Sequence, residues 1–281
     1  MINQIKTVLL LGLLTGLVLG VGWLLGGQGG LAIALIFALI MNFGSYFFSD
    51  KIVLFMYRAK EAKKSDYPSL HSVVEDVAKQ AGIPKPKVYI IPTQSPNAFA
   101  TGRSPKHAVV ACTEGILQLL GKDELKGVIA HEISHVKNRD ILIMTIAATI
   151  AGVISYLANM AQYAAIFGSG DRDRDSGDIL GLIILTIITP IIAVLLQLAI
   201  SRSREYLADE SGARTIKNPK ALASALHKLE FGVKANPLRF GSAATNSLFI
   251  VNPFSARGLV NLLSTHPPLD ERIRRLNQMK F

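Results

Sequence analysis

The chain is poor in cysteine, in aromatic residues and in acidic charge, and each shortage narrows what it can be. A single cysteine, Cys112, in 281 residues excludes an internal disulfide framework. It also excludes a metal site built from clustered thiolates. Its neighbours, Val109-Val110-Ala111 and Thr113, read as a buried strand and not as the setting of a thiol nucleophile. Aromatic residues make up 7% of the chain and do not interleave with its basic stretches, so no nucleic-acid partner is expected. Asp and Glu number 20 against 30 Lys and Arg, a balance of +10. Membrane topology and attraction to anionic headgroups account for that excess. Internal repeats and low-complexity tracts are lacking as well.

What the chain has in quantity is apolar sequence. Four uncharged runs carry it: Thr7–Gly26, Leu31–Phe48, Ile141–Phe167 and Ile179–Ile200. Each is close to the 17–25 residues, roughly, that a helix needs to cross a bilayer. No small-x-small cleavage site follows the first run, and Gly26-Gly27-Gln28-Gly29-Gly30 leads straight into the second, so a retained helical hairpin is expected. The second pair has a polar face at Tyr156, Asn159, Gln162 and Tyr163, and a proline at Pro190. It reads as a second transmembrane hairpin, with a buried or re-entrant pair as the alternative. Lys51, Arg58, Lys60, Lys63 and Lys64 follow the second run, and Arg202 and Arg204 the fourth. The loop 168–178 between the third and fourth is acidic. It lacks the glycine and terminal glutamate of a calcium loop, and reads as a solvated turn. This asymmetry predicts that both polar segments and both termini are cytoplasmic.

The division expected is a hairpin over 1–50, a first part of the polar domain over 51–140, a second hairpin over 141–200, and the rest of the polar domain over 201–281. Within it, Leu70–Ala81 has the spacing of an amphipathic helix, and Lys87–Ile91 and His107–Cys112 read as strands. Asn97–Thr101 reads as an extended edge, ended by Gly102. Glu114–Leu120 begins another helix, and a further one is expected from about Asp123 to Asn138, with Leu125, Val128, Ile129, Ile133 and Val136 as its core stripe. The pattern is α+β: mostly helical with a small sheet, combined with transmembrane helical hairpins.

The expected last helix contains His131-Glu132-Ile133-Ser134-His135. Residues four apart share a helix face, so both imidazoles can reach one ion. Glu132 falls where its carboxylate can take a proton from water as general base. Two histidines call for a third protein ligand, and Glu205, Asp209, Glu210, His227, His266, Asp270 and Glu271 are downstream candidates. Glu205 stands out because Asp209 lies four residues on, suited to accept the free N–H of a ligating histidine. The competing reading pairs these carboxylates with Arg202 and Arg204. Asp140, nine residues past His131, should point away from the ligand face and be structural.

With Asp140, the Ser-Arg-x-Arg-Glu-Tyr-x-Ala-Asp run at 201–209 and Thr265-His266-Pro267-Pro268, this motif resembles the HtpX family of membrane-bound zinc metalloproteases, related to the CAAX prenyl endopeptidases. The match in order and spacing covers nearly the whole chain. The resemblance implies a gluzincin-like fold, with one zinc ion per chain on His131, His135 and Glu205 and with Glu132 as base. It also implies a bacterial inner-membrane enzyme that degrades misfolded or damaged membrane proteins under stress. Asn97 and His266 are candidates for contacts to substrate or transition state, the first by strand addition and the second at the oxyanion.

Two other readings can be weighed. An intramembrane protease would bury the charges that flank the motif, from Asp123 to Asp140, at about 2.5–3.5 kcal/mol each. A non-enzymatic membrane adaptor with a structural metal site would want four protein ligands, which this composition hardly supplies.

Overall fold

The computed structural model describes residues 2–142, 144, 146, 202–238, 240, 248–252 and 267–280, and element labels here number the described elements only. The second pair of apolar runs, apart from 141, 142, 144 and 146, lies outside the described residues, as do the acidic loop and His266.

Helix α1 (Ile2–Met56) is broken at Gly26 and Gly27, where φ is −145° and +56°. Glycine alone adopts the second value freely, so the chain reverses there. The halves lie against each other: Asn42 Nδ2 donates to Thr15 Oγ1 at 2.7 Å across 27 residues of sequence. A Cβ placed on Gly22 or Gly30 would collide with the facing half, so small residues set the approach. Gly26–Gly44 is the one described segment long and apolar enough to cross a membrane. Its outer surface is apolar, with Ile33, Ile36, Leu39, Ile40 and Phe43 all exposed.

Four strands form one sheet in the order β1-β2-β4-β3: Lys60–Glu61, Lys87–Ile91, Val109–Thr113 and Ala98–Thr101. β2 and β4 are parallel, and the outer pairings are antiparallel. β3 is therefore an edge, as expected for 97–101. Helix α2 (Pro68–Ala81) buries Leu70, Val73, Val74 and Val77 and ends on left-handed Gly82. After the short α3 (Glu114–Leu119), α4 (Lys122–Lys137) runs through the centre of the domain with its whole predicted stripe buried. α5 (Arg202–Ile216) and α6 (Pro219–Ala235) pack against it, and α7 (Leu269–Gln278) packs on those two.

Glycine lets two of these helices come close to α4. A Cβ on Gly212 of α5 would sit 2.9 Å from backbone atoms of Ala130 and His131, and one on Gly127 of α4 would sit 2.8 Å from Leu222 N of α6. The segment 248–252 runs beside β3, with Leu248, Phe249, Ile250 and Val251 buried. Each such side chain is worth roughly 1.5–3 kcal/mol, so this irregular stretch belongs to the core. Phe249 packs edge-on to Tyr57, just past the end of α1, and to Phe99 of β3, at ring distances of 4.9 and 5.3 Å.

Candidate active site

α4 presents His131 and His135 on one side of its apolar stripe, as the four-residue spacing requires. Their Nε2 atoms lie 3.2 Å apart. α5 brings Glu205 to them, with carboxylate oxygens 3.7 Å from His131 Nε2 and 3.4 Å from His135 Nε2. All three residues are buried. Zinc bonds of about 2.0–2.2 Å in a tetrahedron put neighbouring ligand atoms about 3.3–3.6 Å apart. The three observed separations cluster on that range, so the residues fit a tetrahedral ion with one position left over.

The outer nitrogens are also held. Asp209 Oδ1 is 2.9 Å from His131 Nδ1, as expected from its place one turn after Glu205. Arg272 of α7 grips Asp209 with two hydrogen bonds of 2.7 and 2.8 Å and is itself wholly buried. Asp140 departs from expectation. It does not point away; its Oδ2 lies 3.4 Å from His135 Nδ1. Helical spacing counted from His131 does not hold at residue 140, because α4 stops at Lys137 and Arg139 turns left-handed, with φ +59°. Asp140 N–H then donates to the His135 carbonyl at 2.9 Å and Arg139 N–H to the Val136 carbonyl at 3.1 Å, a Schellman turn that folds Asp140 back onto His135. Each imidazole thus has its own carboxylate behind it, the arrangement that fixes tautomer and ring orientation in metal sites.

Glu132 faces the edge strand, where its Oε2 accepts from Ala100 N–H at 2.8 Å. Burial pushes its carboxyl up to about 8, with His135 and the Ala100 N–H opposing and Glu205 adding. Burial also lowers His131 against the pull of Asp209. For His135 burial works in the same sense, but Asp140 and Glu205 overcome it and raise the group to about 10. Four buried carboxyl groups (Glu132, Asp140, Glu205, Asp209) crowd around the two imidazoles and the buried guanidinium of Arg272, and the raised Glu132 and His135 express that crowding as retained protons, which a divalent cation would displace. Cys112 is buried, and burial, with the Glu132 charge adding, drives its thiol well above the usual range, which leaves it no nucleophilic role.

Asn97 is buried at the start of β3. Its Nδ2 donates to the Val251 carbonyl at 2.6 Å, so a direct substrate contact there would require Val251 to leave. Sequence reasoning did not find Arg272 or the 248–252 segment. One signal for Arg272 existed: Leu269, Arg272, Ile273 and Leu276 form an i, i+3, i+4, i+7 face, and an arginine on such a stripe asks for a buried partner.

The sequence pattern of peptidase family M48 matches residues 64–280, which include every one of these groups. The chain belongs to peptidase family M48. A protease HtpX homolog of Pyrococcus furiosus is 58% identical over 98% of this chain and 95% of its own length. A protease HtpX homolog of Syntrophobacter fumaroxidans is 54% identical over 99% of both. Membership makes the chain an HtpX-type metalloprotease, and His131, His135 and Glu205 form a cluster that could hold its metal. Among solved structures, S. mikatae Ste24p superposes with a TM-score of 0.53 at 19% identity, over 98% of this chain and 65% of that one. At that identity the likeness speaks for the M48 fold, helical with a small sheet, and for nothing finer.

Proposed function

We propose that this M48 protein is a membrane-anchored zinc endopeptidase that cleaves misfolded or damaged membrane proteins at the cytoplasmic face. The observation that carries the catalytic part is the buried His131–His135–Glu205 cluster with Glu132 beside it and an edge strand alongside. Zinc, when bound, supplies Lewis acidity that polarises the peptide carbonyl and makes water a nucleophile at neutral pH.

The rest is the work of the chain's own residues. His131, His135 and Glu205 hold the ion, while Asp209 and Asp140 hold the two imidazoles. Glu132 accepts the proton of the attacking water on its carboxylate and delivers a proton to the leaving amine. The Ala100 N–H keeps that carboxylate aimed. Substrate lies extended against β3, paired through main-chain hydrogen bonds. His266, outside the described residues, is proposed to stabilise the oxyanion.

Anchoring is supported by the Gly26–Gly44 helix and its apolar outer face. The basic run after it, from Lys51 to Lys64, supports a cytoplasmic site. The proposed layout is the hairpin 1–50, a peptidase domain assembled from 51–140 and 201–281, and a second hairpin over 141–200, in a bacterial inner membrane.

The test compares the wild type with Glu132→Gln, both purified in detergent without metal and then loaded with zinc, on casein. We expect both to retain zinc and the variant to cut at least roughly 100-fold more slowly. A Glu132→Gln protein that cuts casein at the wild-type rate would remove Glu132 from the reaction.

A further inference from the structure

We infer that the segment 248–252 is a fixed wall that closes the substrate cleft at the Asn97 end, leaving little room for residues on the C-terminal side of the scissile bond. The inference rests on the peptidase reading above and adds to it where an extended substrate must stop.

Along β3, Ala98 and Ala100 turn their backbone groups away from β4. Ala100 N–H goes to Glu132, which marks the catalytic position. Two residues earlier the edge is occupied. Ala98 N–H donates to Asn97 Oδ1 at 3.1 Å, and the Ala98 carbonyl accepts from Ile250 N–H at 3.2 Å. Asn97 reaches Val251 in both directions, donating to its carbonyl at 2.6 Å and accepting from its N–H at 3.4 Å. Arg272 Nη1 then donates to the Ile250 carbonyl at 3.0 Å.

The side chains lock the same stretch from below. Phe249 is wedged against Tyr57 and Phe99, and Ile250 lies in the main core with Val128 and Ile129 of the motif helix. A piece of chain held by its backbone, by two buried polar side chains and by the core is not displaced by a peptide competing for one carbonyl.

Pairing antiparallel to β3 is the stronger geometry per residue. A substrate so paired runs from the Thr101 end towards the Asn97 end. Its residues before the scissile bond lie along Ala100 and beyond. Those after it have about 7 Å, two residues of extended chain, before they meet Ile250 and Val251 and must turn away. Asn97 and Arg272 are positioning residues for this wall.

Nested peptides test it, built around one bond that the zinc-loaded, full-length protein cuts in casein, located by mass spectrometry. One series lengthens the N-terminal side from two residues to four, the other the C-terminal side. One added backbone hydrogen bond is worth about threefold to tenfold, so kcat/KM should rise at least about threefold in the first series and less than about twofold in the second.

In Asn97→Ala the wall loses its hold on Val251, and the long-to-short ratio of the C-terminal series should rise to at least about threefold. Because the ratio is taken within one variant, a general loss of folded protein cancels. Equal gains from both series in the wild type, or an unchanged ratio in Asn97→Ala, would overturn the inference. A zinc-loaded wild type that cuts neither casein nor any peptide would instead remove the peptidase reading beneath it.

Discussion

Arg139 shows how much of a metal site can rest on one backbone angle. Its left-handed φ of +59° is what turns Asp140 back onto His135. An L-residue there costs about 1–2 kcal/mol that glycine would not incur. Glycine would in turn lose about 0.4–1 kcal/mol through the freedom of the unfolded chain. Arg139→Gly should therefore stay within about 1 kcal/mol of the wild type in thermal unfolding and keep its zinc. Arg139→Val, β-branched and ill suited to that angle, should unfold earlier and bind zinc at least about tenfold more weakly in chelator competition. Equal zinc affinity in the two variants would mean that Asp140 does not support His135.

The same residue marks where the sequence ceases to be legible. His131, His135, Glu205 and Asp209 were legible because all four obey helical spacing on helices that do continue. Asp140 was misplaced because the same spacing was carried one turn past the real end of α4, across an arginine that gives no sign of a left-handed turn. Arg272 was passed over because charged residues on a helix usually face water. Only its position on the Leu269–Leu276 stripe set it apart.

At the scale of elements, the site exists because α5 can lie against the backbone of α4. Gly212 meets α4 at Ala130 and His131, one turn of α5 beyond Asp209 and close to the motif itself. Gly212→Ala puts a methyl 2.9 Å from main-chain atoms that cannot rotate away. α5 must then shift, and Glu205 and Asp209 shift with it. We expect about 1–3 kcal/mol of lost stability, seen in thermal unfolding, and a fall in zinc affinity larger than stability alone explains. Unchanged zinc affinity would show that the helix contact and the metal site are independent.

The strands are partly legible: the short strand at Lys87–Ile91 and the extended 97–101 stretch match β2 and β3, and the expected His107–Cys112 strand starts two residues before β4. The two-residue β1 carries no pattern long enough to read, and nothing short of the fold reveals that 248–252 lies along β3 from 150 residues away.

At the scale of the molecule, the hairpin and the site share a core. Tyr57, just past α1, is wholly buried between Phe99 of the edge strand and Phe249 of the adjoining segment. Tyr57→Ala removes the ring that joins them and should cost on the order of 3 kcal/mol in denaturant unfolding of the detergent-solubilised protein. Phe55, two residues away and 85% exposed, is the control: Phe55→Ala should change stability by less than about 0.5 kcal/mol. Equal effects would dissolve the distinction between the buried and exposed sides of the chain at the end of α1.

Arg272 lies in α7, the last described helix, yet it braces Asp209 and, through it, a histidine in α4 made some 140 residues earlier. A ribosome therefore makes His131, Glu132, His135 and Glu205 well before it makes the guanidinium that holds Asp209 beside them. Until α7 emerges and docks, the growing chain carries the His131–His135–Glu205 cluster without that brace. Synthesis order thus leaves the assembly of this cluster to the last described helix, so a chain cut short before Arg272 carries Asp209 without its guanidinium partner.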